Sequence, residues 1–230
     1  VGKITPKGET QLSPEEDLLL REVSSWNFYN ELNEKGATIW ERWWIQIRNM
    51  LWDELAEDDN DMPYPFAYQT IYLLKNNPDD KFMDILETDK QETAVDLFLL
   101  SFKKAAADIK NWKDRNGDYE WAEYKSTYVG HILQALPALS RFNLPIGGNS
   151  GIVNATSRNH GPSWRMIVEM SDPPKALGIY PGGQSGNPGS KYYDDLVDKW
   201  AAGEYLEILF MQDETSKEGI MFSQNLTSKQ

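Results

Sequence analysis

The sequence predicts an α+β fold, helical in its first half and carrying short strands in its last third. Three observations predict it. Apolar residues recur at helical spacing behind capping boxes as far as about Trp112. The period then changes to alternation at Ser163–Met170. Between the later β segments lies YPGGQSGNPGS (Tyr180–Ser190), whose four glycines and two prolines cannot add to a core.

Each element follows from its residues. Ser13-Pro14 with Glu16 forms a capping box, with proline where its missing N–H costs nothing. A helical stripe continues through Leu19, Val23, Trp26, Tyr29 and Leu32, and Gly36 is expected to break it. A second stripe runs from Ile39 or Trp40 through Trp43, Ile47 and Leu51 to Leu55, ending at Glu57–Asp61. A shorter helix is expected over 65–75. Thr88-x-x-Gln91 predicts the cap of the longest helix, with Val95, Phe98, Phe102, Ala106 and Ile109 on one face. Asp114–Asp118 reads as a turn, and the pattern dissolves between Gly130 and Thr156. Ser163–Met170 and Ala176–Tyr180 form a hairpin across Asp172-Pro173-Pro174. Lys191–Ala201 reads as a helix and Tyr205–Met211 as a third strand. The expected division is a mainly helical segment, 1–120, and a mixed α/β segment, 121–230.

Composition excludes several functions. A net charge of −13 with no compensating Lys/Arg stripe argues against nucleic acid and anionic membranes. The absence of cysteine removes thiol nucleophiles, thiolate metal sites and disulfides together. No stretch is long and apolar enough to insert in a membrane as a helix. Nine tryptophans invite carbohydrate stacking, but the helical spacing of Trp26, Trp40 and Trp43 favours core packing.

The candidate motifs mostly fail on spacing. Glu57–Asp61 lacks the glycine and terminal glutamate of a calcium loop, and Asp114–Lys125 has Tyr119 and Lys125 where those belong. The two histidines, His131 and His160, supply too few metal ligands. His160 stands three residues before Ser163, yet no strained elbow presents that serine as a nucleophile. The glycine block is neither a P-loop, since Lys191 comes too late, nor a dinucleotide turn. It is expected to be a tight backbone passage holding Gln184 and Ser185 in fixed places.

HGPSWRMIVEM and YPGGQSGNPGSKYYDDLVDKWAAGEYLEILF together resemble the C-terminal end of penicillin amidase family enzymes. The resemblance rests on Ser163-x-Arg165, on Gly182-Gly183-Gln184-Ser185-Gly186, and on Ser190, Tyr193, Asp195 and Trp200 at irregular intervals. Looser matches are Ser25–Trp44, Asp53–Leu55, and Gly147-Gly148 with Val153-Asn154-Ala155. The resemblance implies a C-terminal portion of the αββα fold of N-terminal-nucleophile hydrolases, with no cofactor and no metal in this chain. It also implies self-cleaving precursors, a serine exposed at a new N-terminus, and hydrolysis of an acyl amide through an acyl-enzyme. The substrate would be a small acyl amide, such as a β-lactam or an acyl-homoserine lactone. Val1 has no hydroxyl to attack a carbonyl, so the catalytic residues are expected in upstream α and β chain segments of the same precursor. The family resemblance points to the periplasm or the exterior. Within this chain, Ser163, Arg165, Gln184, Ser185 and Asp195 are the candidate bracing residues. Arg165 is expected to pair with Asp195, and Gln184 and Ser185 to hydrogen-bond towards the active-site region.

Overall fold

The computed structural model describes residues 12–56, 63–133, 135–213, 215, 219–220, 223–224 and 226–227. The architecture is α+β, in two compact units that divide between Ser126 and Thr127.

In the first unit, α1 (Pro14–Ser25) starts as its capping box predicts: Glu16 N–H donates to Ser13 Oγ and Ser13 N–H to Glu16 Oε2. The helix does not continue to Leu32. Asn27 Oδ1 accepts the N–H of Tyr29, Phe28 adopts φ +68°, and the Trp26 indole donates to the Tyr29 carbonyl. That local turn outcompetes the apolar stripe. Gly36 is likewise no break. It is buried in the first turn of α2 (Lys35–Leu51), where an added Cβ would collide with Trp26.

A short α3 (Asp53–Ala56) follows; the Glu57–Asp61 run lies outside the described residues. Next comes α4 (Ala67–Asn76). The longest helix, α5 (Ala94–Asn116), is capped by Thr93 with Asp96, not by Thr88 with Gln91. Thr88 Oγ1 donates instead to the buried Glu92, whose other oxygen accepts the Ile85 N–H. Past Trp112, α5 continues until Gly117 at φ +95° closes it. The unit ends in α6 (Trp121–Lys125).

The core is the seam of α2 and α5. Ile39, Trp43, Ile47 and Leu51 meet Leu97, Phe102, Ala105 and Ile109, all buried. Trp43 packs edge-on against Phe98 and Phe102, and its indole N–H reaches the Phe98 carbonyl and Ser101 Oγ. A buried tryptophan so satisfied is a packing residue. Trp40, 40% exposed, stacks on Trp44.

The second unit opens with β1 (Thr127–Val129), paired antiparallel with β2 (Arg141–Leu144) inside the stretch where sequence pattern dissolves. β3 (Arg165–Glu169) and β4 (Lys175–Ile179) form the expected hairpin, and β5 (Leu206–Ile208) pairs antiparallel with β4. The helix expected from Lys191 starts only at Val197, as α7 (Val197–Ala202). Ser190 holds the preceding residues in turns, its Oγ accepting the Tyr192 N–H and its carbonyl the Tyr193 N–H. The buried core is small: Leu144, Ile146, Ile179, Leu196, Val197 and Trp200.

Candidate functional site

The glycine loop runs from the end of β4 to the approach of α7, folded back on the residues that follow it. Gly182 carbonyl accepts the Leu196 N–H, and Ser185 N–H donates to the Tyr192 carbonyl. Gly183 lies so close to the Tyr192 and Tyr193 backbone that a Cβ there would overlap the Tyr192 carbonyl. This close approach, not a phosphate, is what its glycine serves. The rest of the loop caps itself: Asn187 N–H donates to Ser185 Oγ, Gly189 N–H to Asn187 Oδ1, and Ser190 N–H to the Asn187 carbonyl. Ser185 therefore braces its own turn. Gln184 is exposed.

Beside the loop, Trp200 is 1% exposed and organises its surroundings. Its indole N–H donates to the Pro162 carbonyl, and Gly161 packs against its ring. Arg165 lies over that ring at 5.0 Å and donates through Nη1 to the Trp200 carbonyl at 2.8 Å. The pairing of Arg165 with Asp195 does not form. Asp195 is exposed on the turn before α7, whereas Arg165 is held beneath β3 by Trp200. Among the described residues Nε and Nη2 of Arg165 are buried without a hydrogen-bond partner, and burial pushes its pKa down. Ser163 is exposed.

The ion pairs formed nearby use the neighbouring aspartates. Arg141 of β2 donates through Nη1 to Asp194 at 2.8 Å and through Nη2 to Asp198 at 2.6 Å, and the Asp194 bond raises its pKa. Tyr193 hydroxyl donates to the Leu139 carbonyl. The only sequence signal for this fork was two carboxylates four residues apart; its arginine lies some fifty residues upstream.

His131 Nδ1 accepts the Leu133 N–H, and the His160 carbonyl accepts the Ser157 N–H. Among the described residues no group of three or more His, Asp or Glu is placed to hold a metal. What these residues form is a turn closed by hydrogen bonds, a cation stacked on an indole and an arginine fork.

This chain matches proteins named acylases. It belongs to the penicillin amidase family, whose sequence model matches residues 3–217. The acyl-homoserine lactone acylase QuiP of Pseudomonas aeruginosa is 25% identical over 184 residues, covering 69% of this chain and 21% of that protein. QuiP of Pseudomonas putida is 24% identical over 213 residues, covering 85% of this chain and 24% of the relative. A shorter stretch of 56 residues is 41% identical to QuiP of Pseudomonas syringae pv. tomato, covering 24% of this chain and 7% of the relative. The chain thus spans about a fifth to a quarter of the length of the first two. No helix among the described residues is long and apolar enough to cross a membrane.

Proposed function

We propose that these 230 residues are the C-terminal part of an acylase that hydrolyses an acyl amide through an N-terminal serine outside this chain. The observation that carries the reading is the family match over residues 3–217. The relatives' names favour an acyl-homoserine lactone as substrate, with a β-lactam amide as the related alternative. In this reaction the serine Oγ attacks the amide carbonyl while the free α-amine takes its proton. The amine product leaves, and water then releases the acid from the acyl-enzyme.

The residues described here contribute scaffold. The loop at Gly182–Gly186, fixed by Tyr192 and Leu196, and Arg165 seated on Trp200 give the neighbouring region rigid walls. Ser163, Gln184 and Asp195, all exposed, are its solvent-facing members.

The test uses two proteins: the product of the complete reading frame, and the 230-residue chain alone. The complete protein is expected to release homoserine lactone from acyl-homoserine lactones, and the isolated chain to remain unlabelled by a fluorophosphonate probe. Saturable amide turnover by the purified isolated chain would overturn the reading. A complete protein inert on acyl lactones, β-lactam amides and chromogenic anilides alike would leave a non-catalytic binding domain in its place.

A further inference from the structure

The chain holds a single Asn-Gly pair, Asn116-Gly117, and the fold sets it at the close of α5. Glycine has no side chain to keep a preceding asparagine from its backbone nitrogen, so such a pair is the most open to ring closure. Both residues are exposed, and a Cβ built on Gly117 would meet nothing within 4 Å. Other asparagines in turns are better shielded. Asn187 precedes Pro188, which has no N–H to lose, and Asn149 precedes Ser150 with its Oδ1 accepting the Gly151 N–H.

Two hydrogen bonds hold Asn116 out of reach of that closure. Its Nδ2 donates to the Trp112 carbonyl at 2.9 Å, and the Gly117 N–H donates to the Lys113 carbonyl at 2.8 Å. In a helix the side-chain carbon of Asn116 is turned away from the Gly117 nitrogen, and an N–H already donated gives up its proton reluctantly. Both bonds belong to the last turn of α5, and helix ends open most readily.

The two residues after Gly117 form a junction. The Trp112 indole donates to the Asp118 carbonyl at 3.0 Å, and the Asp118 carboxylate meets Lys35 of α2 at 2.9 Å. Tyr119 is buried, and its hydroxyl donates to Glu22 of α1 at 2.7 Å. The end of α5 is thereby tied to both α1 and α2.

We propose that Asn116 is a self-modifying site, gated by the last turn of α5, whose product loosens this junction. When the turn opens, the Gly117 nitrogen loses its proton to solvent base and bonds to Asn116 Cγ. The Cγ–Nδ2 bond breaks and ammonia leaves, closing a succinimide ring. Water then opens one of its two carbonyls, giving aspartate or isoaspartate; nothing is oxidised or reduced. Isoaspartate routes the backbone through the side chain, one carbon longer, and so shifts Asp118 and Tyr119 away from Lys35 and Glu22. Either product sets a carboxylate between Asp114 and Asp118 at a helix C-terminus, where the dipole favours cations. The site acts whatever reaction the complete protein performs.

The test incubates the 230-residue chain warm at mildly alkaline pH, folded and in concentrated urea, and locates isoaspartate by enzymatic methylation and peptide mapping. Asn116 is expected to be modified before any other asparagine. Folded, it is expected to react about ten to a hundred times more slowly than unfolded, because only a local opening is needed. Urea below the unfolding transition should therefore change its rate little, and amide hydrogen exchange at Gly117 should keep pace with it. Asn116→Gln, at an exposed position, is expected to abolish the signal. In the modified chain, exchange is expected to quicken at Ala122, whose N–H donates to the Leu32 carbonyl just past the junction.

Earlier modification at another asparagine overturns the site. Equal rates folded and unfolded overturn the gate, and so does a rate that climbs with urea in step with global unfolding. Exchange at Ala122 that is the same before and after modification overturns the loosening.

Discussion

The two units solve the same problem by different means. In the first, the central helices cover each other: the apolar face of α2 is buried by α5, and Trp43 has both ring contacts and a hydrogen bond for its indole. In the second, six buried apolar residues form the core, and much of the shape is held by backbone bonds around glycines. The difference teaches that burial and close backbone fit fail under different substitutions. The first is broken by removing volume, the second by adding it.

Trp43→Ala should have the largest effect. It opens a cavity in the α2–α5 seam, at a cost of about 4 kcal/mol, read as a lower urea midpoint of the helical circular dichroism signal. Gly183→Ala makes the opposite change in the second unit. Its methyl would stand against the Tyr192 carbonyl, so a loss of about 2–3 kcal/mol is expected, with faster amide exchange at Ser185 and Leu196. If Gly183→Ala is neutral, the contrast between volume and fit collapses.

A titration sharpens the first unit. Lys125 is buried, its ammonium 5.6 Å from the Trp121 ring centre, and burial pulls its pKa down to about 8. Below pH 8 the lysine is charged whether folded or not, and folding bears the desolvation cost. Between pH 8 and the ordinary lysine value the unfolded chain holds more protons, so stability rises with pH. Relative to Lys125→Met, the parent should therefore gain stability as pH increases from 8 to about 10.4 in urea titrations. A flat difference would mean that burial does not perturb this amine.

The smallest effects separate two neighbouring aspartates. Arg141→Met should cost about 1 kcal/mol, and less in high salt, because its fork is partly exposed. Asp195→Asn should change stability by less than about 0.5 kcal/mol, since Asp195 is exposed. A larger loss for Asp195→Asn than for Arg141→Met would reverse the assignment of partners.

The first unit was the more legible because its signals are local. Ser13 to Glu16 is a complete instruction within four residues, and the α2 stripe needs only its period. Local reading failed where two local signals competed. Thr88 and Thr93 each head a plausible box; the Ala94 N–H reaching the Pro78 carbonyl, and buried Glu92 taking the Thr88 hydroxyl, settle the start. The stripe through Trp26 gave way to the side chain of Asn27. In the second unit the hairpin was legible by alternation, but β1 and β2 are three and four residues long, too short for a period to show. The candidate site suffered most, since charge pairing is a matter of distance. Arg165 and Asp195 have suitable charges; the fold gives Arg165 an aromatic seat and gives the aspartates on either side of Asp195 to Arg141. The glycine requirement at Gly183 was legible as a close approach, although its partner, the Tyr192 carbonyl, was not.

Among the described residues β4 lies between β3 and β5, so each outer strand keeps one rim of backbone donors and acceptors unpaired. Such rims recruit further strands by hydrogen bonding alone, whatever the side chains above and below them. Produced in isolation, the polypeptide therefore offers β3 as an edge for strand addition, where Met166–Val168 supplies three consecutive apolar residues between the gatekeeping charges of Arg165 and Glu169. A lysine introduced at Val168 would be the simplest way to keep such a preparation monomeric in storage.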